Sequence, residues 1–412
     1  MHTQLSTMSE KAQHYLDLEQ QYGAHNYHPL PVVLERGQGV FVWDVDGNRY
    51  YDFLSGYSAV NQGHCHPAIV SAFTAQAQQL TLTSRAFHSN LLGEYAQYIT
   101  SFFGYNKVLP MNTGVEAVET GLKLCRKWGY EVKGIPDGQA KVIVCTGNFH
   151  GRTMGVISFS SDPSSTTHFG PYLPGFISIP YNDLSALAEA LKDPSVAGFL
   201  VEPIQGEAGV VVPDEGYLAA ARQLCTDANV LLIADEIQTG LARTGLMLAC
   251  DHEAVRPDIL LLGKALSGGM LPVSAVLADD EVMLTIGPGE HGSTYGGNPL
   301  ACRTAIAALQ VLKDEQMAEQ ATAMGELLRH GLQQLHSPHI GLIRGKGLLN
   351  AIVIKHSNPD AAWQLCLELK ENGLLAKPTH GDKIRFAPPL VITAEQIEEC
   401  VAIIGRSLHC LD

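Results

Sequence analysis

The sequence predicts an α/β protein in which a large domain surrounds a mostly parallel central sheet and a smaller α+β domain is assembled from both ends of the chain. Three observations carry that reading. Between about residues 140 and 280, short apolar runs bounded by Gly, Pro and Asp alternate with segments long enough for helices. These runs are continuous instead of alternating, as strands covered on both faces must be. Outside that region the pattern changes to a hairpin near the start and to helix- and strand-length segments after residue 316. At 412 residues the chain also exceeds one ordinary core of about 100 to 200 residues.

Taken in order, Val40–Phe53 is two apolar segments around Asp46-Gly47, which predicts a hairpin with that dipeptide as its turn. Lys141–Cys145, Val196–Val201, Val230–Ala234, Ile259–Leu262 and Val273–Leu277 are the strands of the sheet. Parallel neighbours require crossover connections, and the intervening segments are long enough to supply them. Met317–Gln334 reads as a helix, Gly347–Ile354 as a strand, and Ala361–Asn372 and Ala394–Leu408 as two more helices. The expected division is residues 1–55 as part of the small domain, 56–316 as the large domain and 317–412 as the remainder of the small one.

Composition narrows the function. Charged residues make up 17% against roughly 25% in typical soluble chains, so part of the surface is expected to be covered by a second subunit. A net charge of −15 repels nucleic acid and anionic lipid and leaves a small molecule as the partner. With no apolar run of 18 residues, no bilayer span is expected. Nine cysteines without a Cys-x-x-Cys pair suit reduced thiols. Met1–Gln21 carries Glu10, Asp17 and Glu19 without a leader-like pattern, so the expected compartment is the cytoplasm.

Three positions carry chemistry. Thr113-Gly114-Val115-Glu116 is a capping box ahead of an amphipathic stretch, with Ala117, Thr120, Leu124 and Trp128 on one face. It is either a capped helix alone or a phosphate site at which Asn112, Gly114 and Val115 offer backbone N–H groups. Asp235 ends an apolar strand, where α/β sheets bind ligands, although such a carboxylate also caps helices. Lys264 follows Ile259–Gly263 into Ser267-Gly268-Gly269. Lysines are mostly solvated, but a desolvated one becomes a nucleophile toward carbonyls. Together the acid and the amine suggest pyridoxal phosphate, whose ring nitrogen takes a carboxylate and whose aldehyde takes a lysine. His64 and His66 have no further ligand at metal spacing, so they are expected to be structural and no metal is expected.

The run Leu232–Gly240, then Arg243-Thr244-Gly245, Pro257-Asp258-Ile259 and Gly263–Gly269, resembles the signature of class III pyridoxal-phosphate-dependent aminotransferases. Within that class, Tyr22–Tyr27, Ser58–Pro67, Gly289–Pro299 and Arg344–Ile352 are similar to segments of the ornithine aminotransferase family. The resemblance implies fold type I and a homodimer. It makes Lys264 the Schiff-base lysine, Asp235 the partner of the ring nitrogen and Phe149 the ring stacked on the cofactor. Gln238 is implied at the phenolic oxygen, Gly114 and Val115 at the phosphate, and Ser293 and Thr294 at the phosphate of the neighbouring subunit. For substrates it implies Tyr27 and Arg152 at the α-amino and α-carboxylate ends of L-ornithine, with Tyr57 lining the pocket. Arg385 is implied at the α-carboxylate of glutamate, with Glu207 pairing to it. The implied reaction moves the δ-amino group of ornithine to 2-oxoglutarate by a ping-pong route. The alternatives are another ω-aminotransferase, acting on N-acetylornithine, 4-aminobutyrate or lysine, and a cofactor-binding protein without turnover.

Overall fold

A computed structural model describes residues 8–412, so the part of the N-terminal reading that rests on Met1–Thr7 lies outside the described residues. After a helix over Glu10–Tyr22 come three short strands, β1 (Leu34–Gln38), β2 (Phe41–Asp44) and β3 (Arg49–Asp52), paired antiparallel. The β2–β3 turn is the expected one, with Gly47 at φ 87°, a left-handed position that glycine adopts without penalty. Seven strands then build the central sheet: β4 (Lys107–Met111), β5 (Lys141–Cys145), β6 (Phe176–Ile179), β7 (Val196–Val201), β8 (Leu231–Asp235), β9 (Ile259–Leu262) and β10 (Ser274–Ala278). Their spatial order is β4-β10-β9-β8-β7-β5-β6.

Four neighbouring pairs of that sheet are parallel, and β10 alone runs against both of its neighbours. The mostly parallel sheet expected from the apolar runs is therefore present, and the direction of β10 is the detail that those runs did not carry. Leu232, Ile233 and Ala234 in β8 and all of β9 are fully buried, because helices cover both faces. Truncating one such leucine costs roughly 2–5 kcal/mol, so the strand ends form a stiff edge.

The last strands, β11 (Ile340–Lys346), β12 (Leu349–Ile354), β13 (Leu374–Leu375), β14 (Lys377–Thr379) and β15 (Lys383–Phe386), split between two sheets. The order β11-β12-β15-β14 makes an antiparallel sheet, whereas β13 pairs parallel with β3, so the two ends of the chain share a sheet. The helices Met317–Gln334, Ala361–Glu371 and Ala394–Ser407 fall within a residue of their expected spans. We propose that the domain divisions near residues 55 and 316 coincide with two breaks, a left-handed turn at Ser55–Ser58 and the left-handed Gln316 between two long helices. Among the described residues no helix is long and apolar enough to cross a membrane, and the nine cysteines are unpaired, seven of them buried.

Candidate active site

The parallel strands end on one edge, and that edge carries the chemistry. Asp235 is the last residue of β8 and is 5% exposed. His150 Nδ1 stands 2.7 Å from its Oδ2, and the Ile237 amide donates to Oδ1 at 3.1 Å. A carboxylate only accepts, so Nδ1 carries the hydrogen and the ring fixes the orientation of the acid. Burial alone would lower the His150 pKa, but the hydrogen bond and charge of Asp235 outweigh it and the net direction is upward.

Lys264 follows β9 after Gly263 and begins a 3₁₀ turn at φ 44°. Burial pulls its amine pKa below the ordinary value, with Glu207 and Asp235 opposing the change only in part. The amine is thereby closer to a neutral nucleophile than an exposed lysine would be.

The helix Gly114–Glu131 starts one residue beyond Thr113 with the expected capping box. Contrary to the expectation from the sequence, the Asn112 amide is not free for an anion, because Glu116 Oε2 accepts from it at 2.9 Å and from the Thr113 amide at 2.8 Å. Gly114 and Val115, the first two helical residues, have amides with no acceptor one turn back, so the anion-binding edge narrows to them. Gly151 (φ 120°) packs so closely on this turn that a Cβ would lie 2.5 Å from Val115 Cγ2.

Opposite stands a second polar group. Arg385, delivered by β15, donates to Glu207 Oε1 at 2.8 Å and to Gln238 Oε1 at 3.2 Å, while Gln238 Nε2 donates to the same Glu207 oxygen at 3.0 Å. Burial would raise the Glu207 pKa, yet the Arg385 charge and hydrogen bond overcome it and the carboxyl lies below its usual range. The Tyr57 ring covers the guanidinium, with Cζ 5.0 Å from the ring centre.

A cavity of about 270 Å³ lies between these groups, walled by Gly114, Val115, Phe149, Arg152, Glu207, Asp235, Gln238 and Lys264 among the expected residues. Tyr27 stands at the mouth, exposed, where Arg152 Nη1 donates to its hydroxyl at 3.2 Å. Arg385 adjoins the wall through Glu207, and Tyr57 through Arg385. Ser293 and Thr294 lie outside the cavity on the loop after β10: Ser293 Oγ accepts from Asn112 Nδ2 at 2.7 Å and Thr294 is exposed. His64 and His66 face different carboxylates, Asp52 at 2.7 Å and Glu315 at 3.0 Å.

Residues 22–408 match the family model described as aminotransferase class-III. The chain belongs to that family. This class III aminotransferase is 64% identical over 397 residues to a protein named ornithine aminotransferase, mitochondrial, from Rattus norvegicus, covering 96% of this chain and 90% of that one. A solved ornithine aminotransferase from Toxoplasma gondii, described with partial occupancy of PLP at its active site, superposes with a TM-score of 0.96 at 50% identity, covering 99% and 96% of the two chains. A solved structure described as an acetylornithine aminotransferase from Elizabethkingia anophelis superposes with a TM-score of 0.91 at 60% identity, covering 97% and 100%.

Two titratable wall residues of this aminotransferase escaped the sequence reading, His150 and Glu202. Glu202 follows β7, accepts from the Phe149 amide at 3.0 Å, and is pushed up to about 7 by burial, with the Asp235 charge adding to the effect. The rule that singled out Asp235, a carboxylate closing an apolar strand, also finds Glu202. His150 had no such signal beyond its place between Phe149 and Arg152.

Proposed function

We propose that the chain is an ornithine δ-aminotransferase that moves the δ-amino group of L-ornithine to 2-oxoglutarate, giving glutamate and glutamate 5-semialdehyde, which cyclises to pyrroline-5-carboxylate. The observation that carries this reading is the pairing of buried Arg385 with half-buried Glu207 beside Lys264. The reacting carbon of ornithine bears no carboxylate, whereas that of glutamate does. An arginine neutralised by a glutamate tolerates the first, and the same arginine released from it grips the second through its planar fork.

The residues fit pyridoxal phosphate. Asp235 offers a buried carboxylate to a ring nitrogen, Phe149 an aromatic face, Lys264 an amine, and the Gly114–Val115 turn, packed against Gly151, backbone amides to a phosphate. When bound, the cofactor supplies an aldehyde carbon that exchanges amino groups and a ring that withdraws electrons. Asp235 then holds a proton at the ring nitrogen and His150 keeps the carboxylate aimed at it. Lys264 Nζ takes a proton from the amine-bearing carbon of the substrate and returns one on the other side of the transfer. Gln238 is assigned to the phenolic oxygen, and Ser293 and Thr294 to the phosphate of the second subunit in a homodimer. Tyr27 and Arg152 hold the α-amino and α-carboxylate groups of ornithine, with Tyr57 lining the passage.

Single-turnover kinetics of Glu207→Ala tests the reading. The half-reaction with glutamate should accelerate and that with the δ-amine of ornithine should slow. Unchanged rates with both amino acids would remove the gate. A second reading, transfer from N-acetylornithine, rests on the likeness to the Elizabethkingia protein. The Tyr27–Arg152 contact favours a free α-amino group, and parallel assays with ornithine and N-acetylornithine separate the two. A cofactor-binding protein without turnover is disfavoured by the complete Lys264, Asp235, Arg152 and Arg385 set.

A further inference from the structure

The chain between β3 and the helix Pro67–Ala77 contains four consecutive residues with positive φ: Ser55 (52°), Gly56 (55°), Tyr57 (60°) and Ser58 (71°). With ψ of 39° and 44° at Gly56 and Tyr57, this is a turn of left-handed helix, and only one of the four is glycine. Side chains are disfavoured there because Cβ crowds the following carbonyl, so such a turn persists only where its surroundings hold it.

The hold is visible. Asp52 Oδ1 accepts from the Leu54 and Ser55 amides, both at 2.8 Å, and its other oxygen meets His64 at 2.7 Å. Ser55 is fully buried, and its hydroxyl donates to the Ala387 carbonyl at 2.7 Å, while the Ala387 amide donates back to the Phe53 carbonyl at 2.8 Å. Ala387 lies two residues after Arg385, immediately beyond the end of the strand that delivers it. The same turn therefore carries Tyr57 and is bolted to the strand that carries Arg385, and the ring of one covers the guanidinium of the other. Reversing the handedness of the turn would redirect the tyrosine.

We infer that Ser55 is a positioning residue: its bond to Ala387 holds the left-handed turn that places Tyr57 over Arg385, and so sets how well the site takes a dicarboxylate. The inference rests on the role proposed for Arg385. Tyr57 closes one face of the guanidinium, which keeps water away and leaves the fork edge for Glu207 or a substrate carboxylate.

Glutarate, a dicarboxylate without an amine, is the probe, and calorimetry on the holoenzyme is the readout, beside single-turnover rates with ornithine. Ser55→Ala removes the clamp and keeps the side-chain penalty of the left-handed backbone. Ser55→Gly removes the clamp and the penalty together. Glutarate should bind about tenfold more weakly to Ser55→Ala and about threefold more weakly to Ser55→Gly, and in both the ornithine half-reaction, which does not use Arg385, should fall by a smaller factor. A serine that only stabilises the fold would weaken glutarate binding and the ornithine half-reaction alike, with no selectivity between them. Equal losses in the two variants, or glutarate affinity unchanged in Ser55→Ala while Arg385→Gln abolishes it, overturns the inference and leaves the proposed function standing. Unchanged glutarate affinity in Arg385→Gln overturns both. Should Ser55→Ala not fold, Gly56→Ala, which burdens the same turn without removing a bond, must reproduce the glutarate loss, and parental affinity there overturns the proposal.

Discussion

Asp235 and Glu202 close adjacent parallel strands, yet their bonds give them different tasks. Asp235 takes a ring and an amide on its two oxygens, whereas Glu202 takes the Phe149 amide and is raised from an ordinary 4.5 to about 7. The sign for stability follows from proton binding. With the folded value above the unfolded one, the folded chain holds the extra proton between them, so the contribution is complete below pH 4.5 and lost as pH rises through about 7. Glu202→Gln has no such loss. Its stability relative to the parent, measured by denaturant unfolding of the cofactor-free protein, should improve between pH 5 and pH 8 by up to about 3 kcal/mol. A difference that stays flat across that range would show that Glu202 is not held protonated. At Lys264 the expectation is chemical: Lys264→Ala should retain pyridoxal phosphate on dialysis and lose turnover by about four orders of magnitude. Near-parental steady-state activity would remove the lysine from its role.

At the scale of the element, the loop after β5 and the helix Gly114–Glu131 meet without spare room, because Gly151 stands where a Cβ would enter Val115. Gly151→Ala adds both that clash and a side chain at φ 120°, so the loop must retreat from the first helical turn. Cofactor retention should weaken at least about tenfold by equilibrium dialysis, with far-ultraviolet circular dichroism unchanged. The capping box and the strands β5, β7, β8 and β9 were legible in the sequence, since each is a local pattern: a box spaced by three residues, or an apolar run closed by a polar end. The helix Pro299–Asp314 was not, because eleven of its residues are buried and a helix covered nearly all round has no polar stripe to reveal its period. β6 and β15 were missed for the opposite reason: unlike the fully buried β9 of the same length, they are partly exposed, and with Lys383 and Arg385 alternating in β15 four residues give too weak a pattern. The reversed direction of β10 depends on which neighbours it meets, and no window along the chain contains that. For the site, eight of the residues named by motif wall the cavity, whereas Tyr27, Tyr57, Arg385, Ser293 and Thr294 do not, and His150 owes its place to a partner 85 positions away.

At the scale of the whole molecule, the loop after β10 holds Ser293 against the helix that begins at Gly114 and leaves Thr294 and Tyr295 exposed, away from the cavity of their own chain. A low charged fraction and exposed Phe87, Leu80 and Tyr295 agree with a covered face, and the proposed homodimer gives that loop a task at the phosphate of the other subunit. The arrangement makes a quantitative prediction. Lys264→Ala chains lack the amine but keep Thr294, and Thr294→Arg chains keep the amine but obstruct a phosphate. If Thr294 acts across the dimer, a hybrid has one site with both defects and one site with neither. Random reassembly of equal amounts makes half of the dimers hybrids, each with one sound site of two, so activity should return to about a quarter of the parental value from two inactive stocks. If Thr294 acted within its own chain, every site in the hybrid would carry a defect and mixing would restore nothing. Denaturing and refolding the two variants together, with sedimentation to establish that dimers have formed, decides between the two arrangements, and a fully active monomer would exclude the first.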